Sequence, residues 1–190
     1  MGHPVLRQVA ETVTDFEDPE LRRLIEDMVE TMMDANGAGL AALLFRKARG
    51  ARDKILIATK VGMMPGGLKP DRIRDAAQGS LDRLATDTID LYFAHKDDPD
   101  VPLDEVLGAF AELVDAGMVR AIGASNYSAD RLAEALRVSD ANGLPRYTVV
   151  QPELNLLDRG QYEGALQKLC IAEGLGVVTY FSLASGYLSG

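Results

Sequence analysis

At 190 residues the chain can bury one sizeable core and is short for two independent ones. Its 47% hydrophobic and 26% charged residues are those of an ordinary soluble globular protein, and a formal net charge of −9 leaves no basic face for nucleic acid. A single cysteine, Cys170, rules out an internal disulfide and points to a reducing, cytoplasmic setting. His3, His95 and Cys170 are too scattered to make a His/Cys metal site, so no metal is expected. No apolar run approaches a membrane span.

Two sections differ in character, with a seam at Ala41 to Arg46. In the first, Asp18-Pro19-Glu20 supplies an N-cap and a proline at the first helical position. Leu21, Leu24, Ile25, Met28, Val29 and Met32 then repeat at helical spacing, and Asn36-Gly37 stops the helix. One amphipathic helix and a turn cannot fold alone.

The second section alternates between short apolar strands and longer amphipathic helices. Ile55–Ala58 reads as a strand ending at Thr59-Lys60, followed by a glycine-rich loop (Gly62, Gly66, Gly67) and a helix opening at Pro70. Ile89–Ala94 is a strand ending at His95, and the helix after it opens at Pro102 and closes at Gly117. Val119–Gly123 is a strand ending at Ser125-Asn126, before a helix over Ala129 to Asp140 that stops at Asn142-Gly143. Thr148–Gln151 is a strand, a helix near Gln161 to Glu173 follows, and Val177–Tyr180 is the last strand. Cys170 lies on the apolar side of that last helix and reads as a buried, inert thiol.

Short strands apolar on both faces, joined by helical crossovers, form a parallel sheet covered by helices. An open doubly wound sheet and a (β/α) barrel share this pattern. A nucleotide-binding doubly wound sheet carries a Gly-rich turn after its first strand, and Gly62 to Gly67 matches that poorly, which favours the barrel. The expectation is an α/β fold, an incomplete TIM-type barrel of about five parallel strands, plus an extra N-terminal helix.

Polar or aromatic groups recur where strands meet loops: Lys60, His95, Ser125-Asn126, Gln151 and Tyr180. Taken singly, a lysine ending a strand is usually just solvated, and a lone histidine is more often structural. Five consecutive strand ends of this kind point to a site, because barrel strand ends converge on one face.

Several segments resemble aldo-keto reductase motifs in that family's order and spacing: Ile57-Ala58-Thr59-Lys60-Val61-Gly62, Asp90-Leu91-Tyr92-Phe93-Ala94-His95, Gly123-Ala124-Ser125-Asn126-Tyr127, Gln151-Pro152-Glu153-Leu154-Asn155 and Tyr180-Phe181-Ser182-Leu183-Ala184-Ser185-Gly186. The match covers about residues 44–190. The resemblance implies an eight-stranded barrel that reduces aldehydes and ketones with NADP or NAD, of which this chain supplies strands three to seven. Lys60 and His95 would take two of four catalytic places, the lysine lowering the pKa of a tyrosine proton donor and the histidine orienting the substrate carbonyl. Ser125, Asn126 and Gln151 would hold the nicotinamide carboxamide, and Tyr180 would stack on the ring. Phe181 and Leu183 would begin the loop beside the pyrophosphate. The family's aspartate and tyrosine have no counterpart before Lys60, and no tyrosine precedes Tyr92. The first and eighth strands have no counterpart either. Losing a general acid costs about 10²- to 10⁴-fold in rate.

The N-terminal section resembles the start of a peptide deformylase over about residues 1–42, in His3-Pro4-Val5-Leu6-Arg7, Asp18-Pro19-Glu20-Leu21 and Asp34-Ala35-Asn36-Gly37-Ala38-Gly39-Leu40-Ala41-Ala42. That family's metal-binding cysteine motif and His-Glu-x-x-His helix are absent, which argues against deformylase activity. Two unrelated fragments joined near Ala42 read as a chimera: a deformylase-like segment over 1–42 and a partial reductase barrel over 43–190. The leading functional expectation is an impaired NAD(P)H-dependent carbonyl reductase. The alternative is a non-catalytic partial barrel that binds dinucleotide weakly, or that self-associates into a homo-oligomer through open sheet edges.

Overall fold

The structure, a computed structural model, describes residues 56–63 and 67–189. The expected N-terminal helix, the deformylase-like segment of residues 1–42 and the seam at Ala41 to Arg46 lie outside the described residues. Among the described residues, Ile57–Gly79 and those from Asp87 onward belong to one compact unit, and Ser80–Thr86 fall outside it.

Five parallel strands form one sheet in sequential order: β1 (Ala58–Val61), β2 (Ile89–Ala94), β3 (Val119–Ser125), β4 (Tyr147–Gln151) and β5 (Gly176–Val177). The crossovers carry α1 (Pro70–Leu84), α2 (Leu103–Asp115), α3 (Ala129–Asn142) and α4 (Ala165–Ala172). Consecutive strands that always lie side by side, each reached through a helix, are one arc of a (β/α) barrel. The incomplete TIM-type barrel expected from the sequence is therefore the observed architecture.

Local chemistry explains the helix ends. Ser128 caps α3, its Oγ accepting a hydrogen bond from the Arg131 N–H at 3.2 Å, and Gly143 closes the helix in the left-handed region at φ 63°. Gly117, at φ 71°, follows α2, and the Met118 N–H reaches back to the Leu113 carbonyl at 3.0 Å. Helix α4 is shorter than the expected Gln161 to Glu173, because Gly164 at φ 103° holds the chain out of helical geometry just before Ala165.

Two strands also differ from expectation. β1 begins three residues later than Ile55. The Ile57 carbonyl accepts from Asp90 and Leu91, but its own N–H goes to the Asp90 side-chain carboxylate at 2.8 Å instead of a backbone carbonyl. β5 is only two residues long because Pro152, just past β4, has no N–H to extend the ladder. Pairing continues irregularly, with the Tyr180 N–H donating to the Pro152 carbonyl at 3.1 Å.

Alternation along the strands sorts the two faces. Tyr92 points to the helices, where it begins a chain of edge-to-face rings running through Phe110 of α2 and Tyr147 to Tyr127. Ile73, Val106, Leu107, Ile122, Leu132 and Val150 are buried with them. Phe93 faces the other way, onto Gly123 of β3, where a Cβ would lie 2.5 Å from its ring. Along that second face Leu91, Ala121 and Val149 are only half-buried. Cys170 is buried as expected, and burial pushes its thiol pKa up. No helix among the described residues is long and apolar enough to cross a membrane.

Candidate active site

All six chemistry-bearing positions expected at the strand ends lie at the C-terminal edge of the sheet, because every strand runs the same way. Lys60 lies within β1, one residue before its end, while His95 follows β2 directly. The His95 N–H donates to the Val61 carbonyl at 2.7 Å, which extends the β1–β2 ladder and fixes the two side chains on neighbouring strands.

Asn126 is the hub. It follows β3 in the left-handed region at φ 55°, a conformation asparagine tolerates better than most residues. Its Nδ2 donates to the His95 carbonyl at 2.8 Å and to Ser125 Oγ at 3.1 Å, and its Oδ1 accepts from the Tyr180 hydroxyl at 2.7 Å. Ser125 Oγ, wholly buried, donates in turn to the Gln151 carbonyl at 2.8 Å. One amide thereby joins the ends of β2 and β3 to the segment after β5.

Lys60 and Tyr180 are far apart in sequence, yet the Lys60 ammonium lies 5.8 Å from the Tyr180 ring centroid and 5.9 Å from that of Phe93. Both distances are near the outer limit of about 6 Å for a cation over a ring, so they stabilise the cation only weakly. Burial dominates and lowers the lysine pKa below its ordinary 10.5. His95 is also lowered, first by burial and then by the Lys60 charge, so its imidazole is predominantly neutral at neutral pH. The Tyr180 phenol moves the opposite way, raised by burial and by the Glu153 carboxylate.

Gln151 Oε1 is buried and has no hydrogen-bond partner among the described residues. An orphaned acceptor beside a network of satisfied groups suits a ligand N–H, such as a carboxamide, and to that extent these residues fit a nicotinamide. Phe181 and Leu183 are 55% and 58% exposed, which leaves them available to a ligand without fixing one. Phe181 also holds φ 54° and packs edge-on against Tyr180 at 5.1 Å. Among the described residues no cluster of His, Cys, Asp or Glu is arranged to hold a metal ion.

Phe93, one wall beside Lys60, was not picked out by sequence reasoning. The signal available was Gly123, a glycine inside an otherwise apolar strand, which marks a close approach from a neighbour.

Comparison with known proteins agrees with this geometry. The model of the aldo/keto reductase family matches residues 34–190, and that of polypeptide deformylase matches residues 1–44. The chain is 34% identical to the Glycine max protein named "Probable aldo-keto reductase 1", over 83% of this chain and 46% of that protein. It is 31% identical to a "Probable voltage-gated potassium channel subunit beta" of Oryza sativa subsp. japonica, over 86% of this chain and 52% of that protein. With aldo-keto reductase str7 of Strobilurus tenacellus the identity is 35%, over 76% and 42%. A solved structure assigned as 2,5-diketo-D-gluconic acid reductase B superposes with a TM-score of 0.68 at 27% identity, covering 80% of this chain and 51% of that one. The chain thus spans about half the length of the curated relatives it matches. With its five-stranded parallel arc, its polar strand ends and a family match over most of its length, the chain belongs to the aldo/keto reductase family.

Proposed function

We propose that this chain is an NAD(P)H-dependent oxidoreductase of aldehydes or ketones whose turnover is impaired. The observation that carries the reading is the convergence of Lys60, His95, Asn126, Gln151 and Tyr180 on one sheet edge in a member of this family. Gln151 Oε1 would accept from the nicotinamide carboxamide, with Ser125 and Asn126 beside it, and Tyr180 would flank the ring. Phe181 and Leu183 would lie along the phosphates. A dinucleotide held there would supply the hydride. His95, neutral and a hydrogen-bond donor, orients the carbonyl, and Lys60 provides positive charge beside it.

Impairment follows from the proton. No tyrosine precedes Tyr92. Tyr180 is a poor substitute because its hydroxyl donates to Asn126 and its pKa is raised, not lowered. A missing general acid costs about 10²- to 10⁴-fold. The test is NADPH absorbance with a reactive aromatic aldehyde, wild type against Lys60→Met. Equal inertness of the two refutes the catalytic reading.

A second reading is non-catalytic dinucleotide binding. It is favoured by the occupied Tyr180 hydroxyl and by the likeness to a relative named as a channel subunit as well as to reductases. Nicotinamide fluorescence on titration separates the two, since binding without turnover would support only this one. We assign residues 1–42 to a deformylase-like segment and 43–190 to the partial barrel, place the protein in the cytoplasm on its cysteine usage, and expect self-association through sheet edges. Size-exclusion chromatography tests the last, and a clean monomer would overturn it.

A further inference from the structure

We propose that Lys60 is a covalent capture site for small aromatic aldehydes, forming an imine at Nζ without any dinucleotide. Among the described residues Lys60 has no hydrogen bond or ion pair, and none of their carboxylates holds it in the ammonium form. Among the described residues the Phe93 and Tyr180 rings flank its head, at 5.9 and 5.8 Å, and make flat apolar walls. It is half-buried at the sheet edge, whereas Lys69, Lys96 and Lys168 are exposed. Burial shifts its equilibrium toward the free amine, the form that attacks a carbonyl carbon.

The step balances. The Nζ lone pair bonds to the carbonyl carbon, and the C=O π pair moves to oxygen, which takes up a proton. The carbinolamine then loses that oxygen as water as the C=N bond forms, so amine plus aldehyde gives imine plus water. The aromatic walls favour a planar aldehyde over a polar, hydrated one.

The test uses the full chain, benzaldehyde as probe and cyanoborohydride to trap the imine, with no nicotinamide present. Its failure is therefore distinct from failure of the reductase reading. Peptide mapping is expected to find the benzyl adduct on Lys60 ahead of Lys69, Lys96 and Lys168, with that adduct lost in Lys60→Arg. In urea-unfolded protein the preference should vanish, a control that needs no variant to fold. Labelling of Lys60 no faster than the three exposed lysines, or a preference that survives unfolding, overturns the proposal.

Discussion

Replacing Gly123 by alanine tests the packing that sets Phe93 beside Lys60. A Cβ there would stand 2.5 and 2.6 Å from Phe93 ring carbons and 2.8 Å from the Val149 carbonyl oxygen. The ring can tilt, but the carbonyl is held where β3 and β4 run in register at Gly123 and Val149. Overpacking of this kind costs about 1–3 kcal/mol. Alanine recovers about 0.4–1 kcal/mol by restricting the unfolded chain, so at the middle of both ranges a net loss of about 1.3 kcal/mol remains. Because the chain has no tryptophan, urea unfolding is best followed by far-UV circular dichroism. With a urea slope of about 1–3 kcal/mol/M, the midpoint should fall by about 0.4–1.3 M. Phe93→Leu in the same background removes the ring contacts but not the carbonyl contact. The double-mutant cycle should therefore show a favourable coupling of about 0.5–3 kcal/mol and incomplete rescue. A neutral or stabilising Gly123→Ala, or strict additivity with Phe93→Leu, would refute this account of the close approach.

Asp90→Ala strands the buried Ile57 N–H and should cost about 1–3 kcal/mol, while Arg120→Ala should cost under about 1 kcal/mol because Arg120 is 64% exposed; equal losses in urea melts would contradict that split. His95, depressed by burial and then by Lys60, should titrate below 6.5 in NMR, with His3 as the second imidazole, and should rise in Lys60→Met. Since the unfolded histidine takes its proton first, stability should fall as pH drops through 6.5, and a pKa at or above 6.5 would count against the buried site. Asn126→Ala should melt below Asn126→Gly by about 1 kcal/mol, because both lose the hydrogen bonds but only glycine keeps φ 55° without strain; coincident melts would remove the strain argument.

The sheet and the strand-end register were legible because they depend on local periodicity and punctuation. Apolar runs at Ile89–Ala94 and Val119–Gly123, closed by glycine or proline signals on the helices between, are enough to give parallel order. The short β5 was less legible, since its truncation depends on Pro152 of the neighbouring strand. The late start of β1 depends on a carboxylate more than thirty positions away, which no local pattern encodes. At the site, the residue identities could be read, but not the bonding that commits them. Nothing in the spacing indicates that the Tyr180 hydroxyl is spent on Asn126.

That bonding predicts which strand-end group reads a ligand. Ser125 Oγ has given its one hydrogen to the Gln151 carbonyl, and Asn126 has used both amide hydrogens and one acceptor position within the protein. Gln151 Oε1 is the buried acceptor left over. An unsatisfied buried acceptor costs about 1–3 kcal/mol in the free protein, and a ligand N–H repays it on binding. Gln151→Leu, similar in volume and apolar, should therefore leave the free protein as stable as wild type or raise it by about 1 kcal/mol. The same change should weaken nicotinamide dinucleotide binding by about tenfold, corresponding to one hydrogen bond of about 1.4 kcal/mol. Fluorescence titration and urea melts on one preparation read the two effects separately. Opposite signs are the signature of an acceptor kept for a ligand. If Gln151→Leu instead destabilises the free protein and leaves dinucleotide affinity unchanged, Gln151 is a packing residue and Oε1 is not the ligand's anchor.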